Sequence, residues 1–127
     1  MTPQDIIDYC TKKEKAEMAF PFGEIPICFK LYNRIFLELY PNKMDYKITV
    51  TCELVTGDFL RQVFNGIVVH GYHCPAAIRP YRNTVYLDND VLADEQILEM
   101  IDTSYYLVAK KLKKADRETL AIFRNES

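Results

Sequence analysis

The 127-residue sequence contains no tryptophan, only four glycines and two histidines, and no surplus of positive charge. Each shortage excludes something. Four glycines and six prolines leave no room for a repeat array, a fibrous chain or a linker-rich protein. Sixteen Lys and Arg stand against eighteen Asp and Glu, a formal net charge of −2. No global positive field therefore draws the chain to nucleic acid or anionic lipid, and any such contact must come from a local patch. No apolar run approaches the roughly 20 residues that span a bilayer. Met1-Thr2-Pro3-Gln4-Asp5 lacks the basic and apolar regions of a secretory signal, so the expectation is a cytoplasmic protein without membrane contact. Cys10, Cys28, Cys52 and Cys74 include no Cys-x-x-Cys pair, and reduced thiols are expected. Also missing are a phosphate-cradling Gly-rich loop, Gly-x-Ser-x-Gly and His-Glu-x-x-His.

What is present suffices for one ordinary core: 49% of the residues are hydrophobic. The expectation is a single domain over 1–127, with its core at about 3–112 and a short helix and tail at 113–127. Thr2 as N-cap and Pro3 at the first helical position predict a helix from Pro3 to Met18. Pro21 and Gly23 break it. Ile27–Tyr32, Arg34–Tyr40 and Tyr46–Cys52 read as an antiparallel meander, with Ile27, Phe29, Leu31, Ile48 and Val50 on a buried face. Cys28, Lys30, Lys47 and Thr49 alternate with them on a partly wet one. Leu54, Phe59, Leu60, Val63 and Phe64 recur at helical spacing over Glu53–Phe64, although Gly57 weakens that pattern. Strand-like runs at 67–73 and 84–88 flank an irregular loop, Cys74–Pro80. Ile97, Ile101, Ser104, Tyr105, Val108 and Leu112 form one face of a helix over Asp94–Leu112. Asp116 is placed to cap a last helix, Arg117–Phe123, before the polar tail 124–127. Strands joined by short turns pair antiparallel, so the fold class is α+β, with helices covering one face of the sheet.

Several of these segments resemble the MmcQ/YjbR family in identity and order. They are Pro21-Phe22-Gly23, Phe29-Lys30, Asn33-Arg34-Ile35-Phe36, Val50-Thr51-Cys52 before a helix, Gly71-Tyr72-His73, Asn83-Thr84-Val85, and Ile101-Asp102-x-Ser104-Tyr105. The similarity runs over about residues 3–117. It implies a fold like that of the frataxin homologue CyaY and the family's proposed role, DNA binding through a double-wing surface on the sheet. Two departures bear on that role. The stretch Cys74–Arg82 is longer than usual, with Arg82 where Trp is expected and no Lys, and Thr51 stands where a Lys is common.

DNA binding needs clustered Lys and Arg for phosphates and planar groups for bases. Arg79, Tyr81, Arg82 and Asn83 are the local candidates, with Lys30, Arg34 and Lys47 extending a positive surface if they share the open sheet face. Lys110, Lys111, Lys113, Lys114 and Arg117 form a second basic group, which could equally complement a helix dipole. Segregation of acidic from basic residues on the folded surface, with Arg34, Lys47, Arg79 and Arg82 on one face, favours DNA binding, and an even mixture counts against it. Metal binding is disfavoured. His70 and His73 would point to opposite faces of a strand, no second ligand pair follows, and no cofactor is expected. His73 is expected to be partly buried, hydrogen-bonding the loop to the sheet. His73 and Cys74, as neighbours on an extended segment, face apart, and Asp88 and Asp90 suit a turn, so no catalytic residue is assigned and a non-enzymatic monomer is expected. The alternative is a protein-interaction module whose exposed tyrosines meet a protein partner.

Overall fold

The computed structural model describes residues 1–124. Thr2 caps α1 (Pro3–Thr11) as its sequence implies: its hydroxyl accepts from the Asp5 backbone N–H at 3.1 Å, and the Asp5 carboxylate accepts from the Thr2 N–H at 2.8 Å. Hydrogen bonding to its carboxylate, first from the Thr2 backbone N–H and then from the Thr2 side chain, holds the Asp5 carboxyl below its ordinary pKa. The helix stops seven residues before the expected Met18. Lys12, Lys13, Glu14 and Lys15 offer no apolar stripe, and Lys15 takes a left-handed φ of 63°. Residues Ala16–Ala19 form β1 instead, whose backbone pairs with the edge of β2 (Ile27–Leu31).

The meander continues through β3 (Arg34–Tyr40) and β4 (Lys47–Thr51). Next come α2 (Leu54–Val63), β5 (Val68–His70), a single 3₁₀ turn (Arg79–Tyr81), β6 (Arg82–Tyr86) and α3 (Asp94–Lys110). All six strands join one antiparallel sheet in the order β1-β2-β3-β4-β6-β5. The single C-terminal helix expected from an Asp116 cap is instead two short turns, α4 (Lys114–Arg117) and α5 (Ala121–Arg124). Buried Leu120 anchors the link between them, and Thr119 donates its hydroxyl to the Asp116 carbonyl. Of the expected polar tail, residues 125–127 lie outside the described residues.

One sheet face carries the main core. Ile6 and Cys10 of α1 and Ile97, Ile101, Tyr105 and Val108 of α3 pack on Phe29, Leu37, Leu39, Ile48, Val50 and Val85. A bulge makes Phe36 an extra residue in β3, because Phe29 faces Leu37 while Lys30 faces Ile35. Phe36 and Leu37 are therefore both buried despite being adjacent. Ser104, buried in α3, donates to the Phe36 carbonyl and accepts from the Thr51 N–H at 2.8 Å, tying the helix to two strands.

The second face is not the partly wet surface its alternating polar residues suggest. Cys28, Thr49 and Thr84 are all buried, and Lys47 is only 2% exposed. The 71–82 segment and the 20–26 turn lie over this face.

Candidate functional site

Glycine sets the path of the loop over the outer face. A Cβ at Gly71 would lie 2.6 Å from the Arg82 Cβ and 2.7 Å from the Cys74 Sγ, so only glycine permits this approach without displacement. Beyond it, the Tyr72 N–H donates to the Thr84 hydroxyl at 2.7 Å, and the Thr84 and Thr49 hydroxyls pair at 2.8 Å. The loop thereby lowers the Tyr72 ring onto Lys47, whose Nζ lies 3.8 Å from that ring's centroid, 5.1 Å from Tyr40 and 5.8 Å from Tyr86. Asp45 completes the enclosure as an ion-pair partner. Lys47 is thus removed from the surface expected to meet DNA, and the three rings and the carboxylate offset part of the cost of burying its charge.

Asn83 is likewise withdrawn from the expected interface. It is buried, donates to the Gly57 carbonyl at 3.3 Å and accepts from Arg61 Nη1 at 2.6 Å, joining β6 to α2. Sequence reasoning missed Arg61. Its signal was Gly57, four residues earlier: a Cβ there would sit 2.5 Å from the Cys52 Sγ and 3.3 Å from Arg61 Nη1. His73 is exposed, with a left-handed φ of 54° and its ring against Tyr72 at 4.0 Å, rather than a partly buried tether. The tethering bond belongs to Tyr72 and Thr84.

Arg79 is exposed, and its guanidinium folds back onto the Cys74 carbonyl at 3.3 and 3.4 Å. Tyr81 is 45% exposed. Arg82 is half-buried and lines a cavity of about 450 Å³ together with Phe22, Glu38, Tyr72, His73 and Cys74. Burial pushes the Cys74 thiol pKa up; Arg82 and Arg79 oppose the rise and Glu38 adds to it. No group of three or more His, Cys, Asp or Glu side chains among the described residues is arranged as metal ligands.

The remaining candidates lie elsewhere. Lys30 is half-buried on β2, opposite Glu17 of β1. Exposed Arg34, at the β2–β3 turn, shares a surface concavity with Tyr32, Asn33, Lys113 and Asp116, and Asn33 shares a neighbouring one with Lys15 and Glu17. Arg117 Nη1 reaches the Lys110 carbonyl at 3.4 Å. Lys15, Arg34, Lys110, Lys111, Lys113 and Arg117 thus gather from the α1–β1 turn, the β2–β3 turn and the end of α3. At the other end of α3 stand Asp88, Asp90, Asp94, Glu95 and Glu99, with Asp94 paired to the Met1 ammonium at 3.5 Å. Acids stand among the basic residues as well, Asp116 beside Arg34 and Lys113 and Glu17 beside Lys15, and Arg34, Lys47, Arg79 and Arg82 do not form one exposed surface, since Lys47 is buried and Arg34 lies at the β2–β3 turn.

A family model described as YjbR matches residues 11–107. The crystal structure of the Deinococcus radiodurans protein DR2400, of the DUF419 domain family, is similar with a TM-score of 0.83 and 26% identity, covering 93% of this chain and 86% of that one. A Pseudomonas syringae protein shares the fold with a TM-score of 0.68 at 21% identity, over 84% of this chain and 98% of that one. No curated protein matches.

Proposed function

This chain belongs to the YjbR family, and from that premise we propose that it is a non-enzymatic, monomeric DNA-binding protein whose contact surface is the basic pole at the C-terminal end of α3. The carrying observation is the convergence of Lys15, Arg34 and Lys113 from three separate chain segments around Asn33, where they outnumber the acids beside them, Glu17 and Asp116. A helix dipole accounts for cations in the last turn of α3, but not for cations brought there by two turns of other elements. Phosphates would be held by this group through counterion release, and exposed Asn33 adds a polar contact. With a net charge of −2, the affinity is modest and steeply salt-dependent.

Anisotropy of a labelled duplex, titrated at low and moderate salt, tests this. Arg34→Glu combined with Lys111→Glu and Lys113→Glu should abolish binding at moderate salt. Milder Ala replacements should reduce the salt slope by about 0.9 for each phosphate that is no longer neutralised. Arg79→Ala with Arg82→Ala should leave the titration unchanged. Absence of binding at low salt, or weakened binding on the Arg79 and Arg82 changes instead, would sink the proposal.

The interaction-module reading is favoured by one observation. Val55, Phe59 and Val63 of α2 form an exposed apolar stripe at i, i+4 and i+8, with Phe59 at 61% exposure. It predicts a flat DNA titration and specific protein capture that disappears on Phe59→Ser.

A further inference from the structure

The outer-face cavity contains one cation and one carboxylate that are not paired with each other. Glu38 projects from β3 and Arg82 from β6, on the same sheet face; Glu38 is opposite Thr49, Thr49 opposite Thr84, and Arg82 opposite Thr51. Two strand spacings of about 4.8 Å and an offset of two residues at about 3.3 Å put their backbones roughly 12 Å apart. Among the described residues, neither takes part in an ion pair. Among the described residues, Glu38 accepts one side-chain hydrogen bond, from the Tyr40 hydroxyl at 3.1 Å, and the Arg82 guanidinium makes none. The Cys74 thiol lies in the field of both.

Around these charges the cavity is apolar and its rim is open. Phe22 is 64% exposed, Ile25 40%, Ile78 41% and Tyr72 38%, and all four line it. Its volume of about 450 Å³ falls within the roughly 300–1,000 Å³ range of small-molecule sites. A ligand with a single charge would satisfy one half-buried group and desolvate the other without compensation. A neutral hydrocarbon would desolvate both. Only a ligand carrying both charges on an apolar body matches every wall.

We propose that this cavity binds a zwitterionic small molecule of the aromatic α-amino-acid type. Its carboxylate sits on the Arg82 guanidinium, whose planar fork suits two parallel hydrogen bonds. The ammonium group meets Glu38, held in place by Tyr40, and the aromatic ring lies against Phe22, Ile25 and Tyr72. None of these residues belongs to the basic pole, so the site stands or falls independently of DNA binding.

Isothermal calorimetry at neutral pH with L-phenylalanine, phenethylamine and 3-phenylpropionate decides the matter, since the last two each lack one charge. L-phenylalanine should bind at least about tenfold more tightly than either analogue, the ratio expected for removing one charge-assisted hydrogen bond. In Arg82→Gln the advantage over phenethylamine should vanish, while phenethylamine itself binds as before. In Glu38→Gln the advantage over 3-phenylpropionate should vanish. Comparing the three ligands on the unaltered protein requires no variant to fold. No heat with millimolar L-phenylalanine, or affinities within a factor of two for the three compounds, would overturn the proposal. So would an Arg82→Gln protein that keeps the original ranking.

Discussion

Lys47 carries a charge where charge is expensive, and its neighbours identify what offsets the cost. Its ammonium meets the faces of Tyr40, Tyr72 and Tyr86 and one partly exposed carboxylate, Asp45, while its methylenes fill space between strands. Lys47→Ala should lower stability by about 2–4 kcal/mol, because it empties a buried site. Lys47→Met keeps most of the volume and should recover more than half of that loss, Asp45 being free to turn to water. Urea unfolding of the two variants measures the difference, and equal losses would show that the charge rather than the stem matters. The sequence marked Lys47 as an outward strand position, which it is. What alternation cannot register is a loop 25 residues later that folds down over that position.

At the scale of elements, Gly57 shows how a local propensity is overridden by packing. An alanine in the middle of α2 would ordinarily favour the helix by about 1 kcal/mol. Here its Cβ would lie 2.5 Å from the Cys52 sulfur, itself buried against the Pro80 carbonyl. Gly57→Ala is therefore expected to destabilise the protein, and Cys52→Ala to relieve that effect, giving a coupling of about 1 kcal/mol or more in a double-mutant cycle read by thermal or urea unfolding. Additive effects would contradict the close approach of Gly57 to Cys52. The same override explains β1. Residues 12–19 contain both helix-compatible residues and a short edge strand, and the unpaired backbone of β2 decides between them. The α3 face, by contrast, was legible residue by residue: Ile97, Ile101, Ser104, Tyr105 and Val108 are all buried, and Leu112, expected on the same face, is buried just beyond the helix end. A 17-residue helix repeats its apolar stripe often enough that tertiary contacts reinforce the pattern.

At the scale of the whole molecule, α3 spans about 26 Å at 1.5 Å per residue, with Asp94 and Glu95 in its first turn and Lys110 in its last. Its acidic and basic ends complement the helix dipole, and the α1–β1 and β2–β3 turns extend the basic one. A second global property is alkaline sensitivity. Burial pushes the Cys10 thiol from its usual 9.0 up to about 12 and Cys28 up to about 11, and lifts the Tyr46 and Tyr105 phenols from 10.0 to about 12. In each case burial disfavours the charged form, so the unfolded chain releases its protons at lower pH than the folded one. This stabilisation is complete below about pH 9 and is lost as pH rises toward 11–12. Urea midpoints should stay level from pH 7 to about pH 8.5 and then decline, with a shallower decline in Cys10→Ala. A midpoint that rises above pH 9 would contradict the burial of these groups.

The sequence by itself determined the fold class, the antiparallel meander, the long C-terminal helix with its buried face, and the family, because these depend on periodicities and motifs that repeat over many residues. Tertiary structure alone decided which charges remain available. The net charge of −2 says nothing of their arrangement, and the arrangement depends on turns distant in sequence meeting at one end of α3. It likewise took Lys47 and Asn83 into the interior, left Arg82 facing Glu38 across a cavity, and brought Arg34 to Lys113. Each of these outcomes is set by the close approach of segments far apart in the chain, which no local pattern encodes.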